Sequence, residues 1–259
     1  TSDKPVRAPY RRVPFHLREY CAREIKELLD AGVIQHSKSN YNSPAIILKT
    51  KNRTRIVIDF RRLNEISNRS YCCVPAINTI TAGCSGCKIF SNLDMKDVFL
   101  QIPIKPADRH LTAFAIPGVG FMEFARMALG LCGGPSTFQN LLDRLLAGLP
   151  PNVAAAYIDD ILSAAPDVQT MIRNLQTIIE RIASSGLRFN PSNYHIFQMR
   201  IKFLGAYLSE AGIEPDHDKI QAIRDMEISR TRKQVQRFLG GALWFRSYIE
   251  SFAEKAKGL

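Results

Sequence analysis

The sequence is poor in the features that mark the simplest classes of chain. One of its 259 residues is tryptophan and six are cysteine. That is too few thiols for a disulfide-built scaffold, so a reducing compartment is expected. No apolar run approaches the roughly 20 residues a bilayer requires. Stretches such as Ala45–Leu48 and Val153–Ile158 stop far short of it, and no membrane partner is expected. A charged-then-apolar leader is missing too, and the first residue is Thr1 rather than Met. The chain therefore reads as a segment of something longer, without a secretory signal of its own. Internal repeats and low-complexity tracts are also lacking. With 46% hydrophobic and 23% charged residues the composition is ordinary and globular, which excludes disorder, collagen and coiled coil. The length suits one large domain or two to three subdomains sharing a core.

What the chain does have is positive charge. Thirty-five Lys and Arg stand against 24 Asp and Glu, a net charge of +11. Phosphates would relieve that self-repulsion, so a polyanionic partner, nucleic acid first, is favoured. Cys84-Ser-Gly-Cys87 has the gap of a zinc knuckle or redox pair, with Cys72-Cys73 upstream. No second pair at ligand spacing completes a site, so these thiols read as buried or incidental.

Hydrophobic spacing gives an order of elements. A basic, proline-bearing lead-in (Lys4, Arg7, Arg11, Arg12) precedes a helix carrying Leu17, Cys21, Ile25, Leu28 and Leu29, with Gly32 as its stop. Ala45–Lys49 and Arg55–Phe60 read as strands joined by a polar, basic hairpin tip that projects Lys49, Lys51, Arg53 and Arg55. Ile89–Leu93 is a strand ending at Asp94. A helix opening at Gly133-Gly134-Pro135 carries Phe138, Leu141, Leu142, Leu145 and Leu149. Val153–Ile158 and Ile161–Ala164 form a tight hairpin with Asp159-Asp160 at its bend, followed by a helix over Asp167–Ser184. Ile201–Leu208 then runs to a hairpin around Ser209–Gly212. Beyond Asp216 two basic helices follow, the second opened by a Thr231/Gln234 capping box. Strands and helices interleaved with hairpins predict an α+β fold.

Carboxylates at strand ends are the informative chemistry. Burying an unpaired carboxylate costs several kcal/mol, so Asp94, Asp159 and Asp160 in apolar strand contexts call for a cation. Hard oxygen donors suit magnesium or manganese. Two such ions about 3.5–4 Å apart serve an in-line displacement at phosphorus. Read alone, Asp159-Asp160 is more simply a polar hairpin turn and Asp94 a helix cap. Tyr157 in front of the pair and the apolar flanks favour the site.

Tyr157-Ile158-Asp159-Asp160 together with Leu93-Asp94-Met95-Lys96-Asp97-Val98-Phe99 resembles the active site of a reverse transcriptase. The resemblance spans nearly all 259 residues and is strongest to gypsy-like retrotransposons with long terminal repeats. Supporting blocks include Glu27–Ile34, Arg55–Asn64, Gln101–Ile104, Pro135–Gln139, Phe203-Leu204-Gly205 and Phe238-Leu239-Gly240. It implies a right-hand polymerase fold with fingers (1–88 and 103–128), an antiparallel-sheet palm (89–102 and 129–207) and a helical thumb (208–259). It also implies an RNA-directed DNA polymerase that extends a primer 3′-hydroxyl with deoxynucleoside triphosphates on an RNA or DNA template. Two Mg2+ ions, with Mn2+ as the substitute, would lie on Asp94, Asp159 and Asp160. Lys49, Lys51 and Arg55 would neutralise the triphosphate, and Met95, Asp97, Val98 and Gln139 would line the nucleotide. Phe99 matches the gate that excludes a 2′-hydroxyl; on residue pattern alone it is a core aromatic. Tyr157, Leu204, Gly205, Arg237 and Trp244 would meet primer and template. Protease, RNase H and integrase regions would accompany it in a parent polyprotein, within a cytoplasmic retroelement particle whose DNA product goes to the nucleus.

The sequence departs from that pattern in places. Ala128-Leu129-Gly130-Leu131 stands where gypsy-like enzymes have Pro-Phe-Gly-Leu, and Gly133-Gly134-Pro135 replaces Asn-Ala-Pro. Leu129 in place of an aromatic bears on packing of the nucleotide pocket. It motivates the competing reading, an inactive or host-adopted nucleic-acid-binding relic. Another palm-type nucleotidyl enzyme, such as a cyclase, would share the acids but gives no reason for the basic hairpin or basic terminal helices.

Overall fold

The computed structural model describes residues 5–49, 54–68, 79–80, 83–227 and 231–258. Lys51, Arg53 and Cys72-Cys73 lie outside the described residues. Three sheets organise the rest. The first contains β1 (Ile34–His36), β2 (Ser43–Lys49), β3 (Thr54–Ile58), β5 (Phe114–Ile116) and β6 (Gly120–Phe124) in the order β1-β6-β5-β2-β3. Its pairs are antiparallel except β2 with β5. Helix α1 (Arg18–Asp30) buries Cys21 and Ile25 against this sheet, in a core with Ile58, Phe60, Phe114 and Phe124. Gly32 ends that turn at φ 65, a left-handed conformation that side chains resist. β2 and β3 form the expected hairpin, with Lys49 opposite Thr54. After β3 comes the short α2 (Arg61–Ile66).

The second sheet contains β4 (Ile89–Asp94), β7 (Ala155–Tyr157), β8 (Asp160–Ala165) and β9 (His195–Gln198), ordered β7-β8-β4-β9 and antiparallel throughout. Alternation along β4 and β8 splits their side chains between two cores. Leu93 and Ile161 face α3 (Gly134–Leu145) and α4 (Val168–Ser184), where Phe138, Leu142, Ile178 and Ile182 are fully buried. Asp167 caps α4 by accepting from the Thr170 N–H at 2.8 Å. Phe90, Leu162 and Ala164 face the other way, into a core shared with Cys84, Cys87, Ile201, Phe203 and Leu208. Burial pushes the Cys84 thiol up to about 11 and raises Cys87 as well, so both stay protonated core residues at neutral pH.

The third sheet, β10 (Arg200–Phe203), β11 (Ala206–Ser209) and β12 (Gly212–Pro215), closes that second core. Two expectations change here. Ile201–Leu208 is not one strand: Leu204 and Gly205, at φ 48 and 80, form a two-residue turn between β10 and β11. Positive φ at both loop positions is the backbone that a tight hairpin demands. The division expected at 207/208 also falls inside β11, because β12 needs β11 as its hydrogen-bonding partner and the sheet is one unit. Helices α5 (His217–Arg224), α6 (Arg232–Leu243) and α7 (Phe252–Ala256) follow. The Thr231/Gln234 capping box opens α6 with both reciprocal bonds. Among the described residues no helix is long and apolar enough to cross a membrane.

Candidate active site

The acidic residues come together through strand register. β4 and β8 pair without a slip from Ile89↔Ala165 to Asp94↔Asp160, so the two acids are direct cross-strand neighbours at the open end of the sheet. Asp159 occupies the two-residue turn between β7 and β8, and its carbonyl accepts from the Met95 N–H at 2.9 Å. Adjacent residues of an ideal strand face opposite ways; Asp159 lies in the turn rather than in the strand, and it acts on the Asp160 carboxyl together with Asp94. Ile158, the other turn residue, sits at φ 54, a strained conformation for a β-branched side chain.

That strain is held from beneath. The Gln139 side chain, fully buried in α3, accepts from the Ile158 N–H at 2.8 Å and donates to the Ala156 carbonyl at 3.1 Å. Gln139, expected along the nucleotide, therefore has its carboxamide committed to the turn and lies off the open cavity; burial at the helix–hairpin contact is the reason.

Carboxamides hold the acids. Asn92, two residue pairs down the ladder, donates to Asp160 Oδ1 at 2.8 Å. Asn190 and Asn193 both donate to Asp94 Oδ2, at 2.9 and 3.1 Å. The Asp160 carboxyl is raised above its ordinary range, first by desolvation, then by Asp159 and Asp94, against the lowering effect of Asn92. Among the described residues no three His, Cys, Asp or Glu side chains are gathered tightly enough to hold a metal as they stand. The donor chemistry nonetheless fits a divalent ion: the three carboxylates are hard oxygen donors, Asp159 and Asp94 both act on the Asp160 carboxyl, and among the described residues no cationic side chain is bonded to any of them.

An open cavity of about 780 Å³ lies between this sheet end and the first sheet. Arg55, Met95, Asp97, Val98, Phe99, Leu129 and Asp159 line it, as do Tyr20, Glu24 and Leu28 of α1, of which the sequence pattern singled out Leu28 alone, as an apolar helix position. Asp97 takes a left-handed conformation (φ 43) and leads into a short 3-10 helix, Val98–Gln101, which sets Phe99 on the cavity wall. A methyl added to Gly134 would meet the Phe99 ring at 3.4 Å, so the ring lies over that glycine. Leu129 is 67% exposed, and Asn64 ties its loop by donating to the Gly130 carbonyl and accepting from the Cys132 N–H.

The remaining expected residues lie elsewhere. Lys49 is exposed at the end of β2, off the cavity lining. Tyr157 and Leu204 pack on the same core beside the acids. Trp244 stacks on Lys219 (Nζ 4.0 Å from the ring) directly over the Leu204-Gly205 turn, where a methyl on Gly205 would lie 3.1 Å from Trp244 Cζ2. Leu204, Gly205 and Trp244 are thus brought together. Arg237 is exposed on α6 and joins neither group.

Sheet topology and the helices behind the sheet define a right-hand polymerase fold. Residues 42–208 match the family model described as reverse transcriptase (RNA-dependent DNA polymerase), and the chain belongs to that family. The retrovirus-related Pol polyprotein from transposon opus of Drosophila melanogaster is 33% identical over 264 residues, covering 100% of this chain and 26% of that relative. The corresponding protein from transposon gypsy is 30% identical, over 92% of this chain and 24% of its own length. The chain thus spans about a quarter of these relatives and corresponds to the gypsy-like polymerase segment. Among solved structures, a foamy viral protease-reverse transcriptase in complex with double-stranded DNA superposes with TM-score 0.86 at 21% identity, covering 99% of this chain and 45% of that one. A complex of that protein with an RNA/DNA hybrid gives TM-score 0.81 at 21% identity, over 98% and 34%.

Proposed function

We propose that the chain is an RNA-directed DNA polymerase that adds deoxynucleotides to a primer 3′-hydroxyl on an RNA or DNA template. The observation that carries this reading is the in-register pairing of Asp94 with Asp160, with Asp159 in the adjoining turn, beside a cavity that also holds Arg55 and Phe99. Asp94, Asp159 and Asp160 are the residues to hold two Mg2+ ions, or Mn2+. When bound, the ions supply an activated 3′-hydroxyl and charge neutralisation on the leaving pyrophosphate. Arg55 offsets triphosphate charge from the finger side of the cavity, and the 97–98 backbone faces the nucleotide. Phe99 occupies the wall where a sugar 2′-hydroxyl would need space. The net charge of +11 supports binding of primer and template, with Leu204, Gly205 and Trp244 on the primer side. Protease, RNase H and integrase partners, and a cytoplasmic particle, go with a Pol polyprotein parent.

The test is primer extension. Purified protein extends a DNA primer on an RNA template with magnesium, and Asp159→Asn eliminates extension. Undiminished synthesis by that variant would contradict the reading. The second reading, a binding relic, is favoured by Leu129, exposed where the pocket would otherwise have an aromatic wall. It predicts salt-sensitive primer–template binding without extension at any divalent ion.

A further inference from the structure

The segment after α4 is fastened to the end of β4 along its length. Lys96 donates its N–H to the Arg188 carbonyl at 3.2 Å, and Met95 bridges Phe189. Gln101 bonds both backbone groups of Arg188, and the Asn190 N–H donates to the Asp94 carbonyl at 2.8 Å. On this seat two carboxamides, Asn190 and Asn193, converge on a single oxygen, Asp94 Oδ2. Among the described residues Asp94 Oδ1 has no bonded protein partner, and neither carboxylate oxygen of Asp159 has one.

Resting on the function proposed above, we infer that Asn190 and Asn193 are positioning residues for Asp94: they fix its carboxylate through Oδ2 and leave Oδ1 for the divalent ion. A carboxamide suits the task because it orients a carboxylate without neutralising it. A Lys or Arg in the same place would form an ion pair that competes with the metal. Two donors on one oxygen also define the carboxylate plane better than one, and both come from one short turn, Asn190 through Asn193. Asp160 is held in the same manner by Asn92 alone. The three acids are therefore graded: one doubly held, one singly held, and Asp159 free to adjust.

The test uses Mn2+ alone as probe, titrated into the full chain and followed by the electron paramagnetic resonance of the free ion. Asn190→Ala/Asn193→Ala raises the Mn2+ dissociation constant about tenfold or more, the usual effect of losing the groups that orient a ligand. Asn193→Ala alone, a change at an exposed residue, gives a smaller rise in the same direction and guards against misfolding of the double variant. In primer extension, the Mg2+ concentration for half-maximal rate rises by a matching factor. Asp94→Asn serves as control. If it abolishes Mn2+ binding while the folded asparagine variants bind within twofold of wild type, the inference is overturned. If Asp94→Asn itself binds Mn2+ as wild type does, the metal assignment of Asp94 fails and the inference falls with it.

Discussion

Gln139 offers the sharpest link between stability and catalysis. Replacing it with alanine removes the acceptor for the Ile158 N–H and the donor to the Ala156 carbonyl. Each orphaned backbone group costs about 1–3 kcal/mol when buried. The bond to Asp143 adds little, because Asp143 is exposed. The two backbone groups sum to about 2–6 kcal/mol, toward the lower end because the Ile158 bond is only part-buried. A loss of about 3 kcal/mol, at 2–4 °C per kcal/mol, lowers the melting temperature by about 6–12 °C. Ile158 at φ 54 then loses the contact that imposes its conformation, and a strain of about 1–3 kcal/mol drives the turn to relax. Asp159 and Asp160 move with it, and a displacement near 1 Å costs about 10²-fold in rate. Gln139→Met separates causes, since methionine fills the volume and makes neither bond. Thermal denaturation and single-nucleotide extension at saturating magnesium are the assays. A methionine variant that melts within about 2 °C of wild type and extends at the wild-type rate would refute the reasoning.

Other outcomes follow from the same geometry. Phe99→Ala raises ribonucleotide incorporation relative to deoxynucleotide, read by competing the two triphosphates on one template; unchanged sugar selectivity removes Phe99 from the cavity-wall role. Gly205→Ala destabilises by about 1–2 kcal/mol because of the left-handed backbone, and its methyl drives the Lys219 ammonium, the group nearest to it, off the Trp244 ring. Trp244 is the single tryptophan of the chain, so its fluorescence reports the loss of the cation from its ring. The Arg61 guanidinium beside Asp59 holds that carboxyl at about 2. A depressed carboxylate contributes stability above its unfolded range near 3.8 and loses it as pH falls toward 2. Carboxyl-carbon NMR shows Asp59 titrating near 2 in wild type and moving up toward 3.8 in Arg61→Ala.

Much of this was legible where local physics and tertiary context agree. The long helices over Arg18–Asp30 and Val168–Ser184 announce themselves by apolar spacing and by Gly32 and Asp167 at their ends. The acid-bearing hairpin reads from two apolar runs around Asp159-Asp160. Three-residue strands such as Ile34–His36 carry too little alternation to declare themselves, and they exist through pairing with Phe124, Glu123 and Met122. β9 is exposed along its length, so no burial pattern marks it. It is held by β4, where Ser91 Oγ accepts from the Phe197 N–H at 3.1 Å. The Leu204-Gly205 turn hid because leucine seldom takes a left-handed conformation. At the site, the three aspartates were readable from their strand contexts and from family resemblance. Asn92, Asn190 and Asn193 were not, since the polar Asn-Pro-Ser-Asn run looks like any turn until the fold lays it across Asp94. Gln139 was placed by resemblance at the nucleotide, and only burial reveals which way its carboxamide is spent.

The unslipped ladder between β4 and β8 carries an evolutionary consequence. Six successive pairs lead to Asp94 opposite Asp160, and a frame shift of a single position would rotate every later side chain to the reverse face. Exchange of one apolar residue for another along these strands is forgiving, whereas an inserted or deleted codon within them would scatter the acids. Drift in such an element should therefore leave these two stretches constant in length long after their letters have changed.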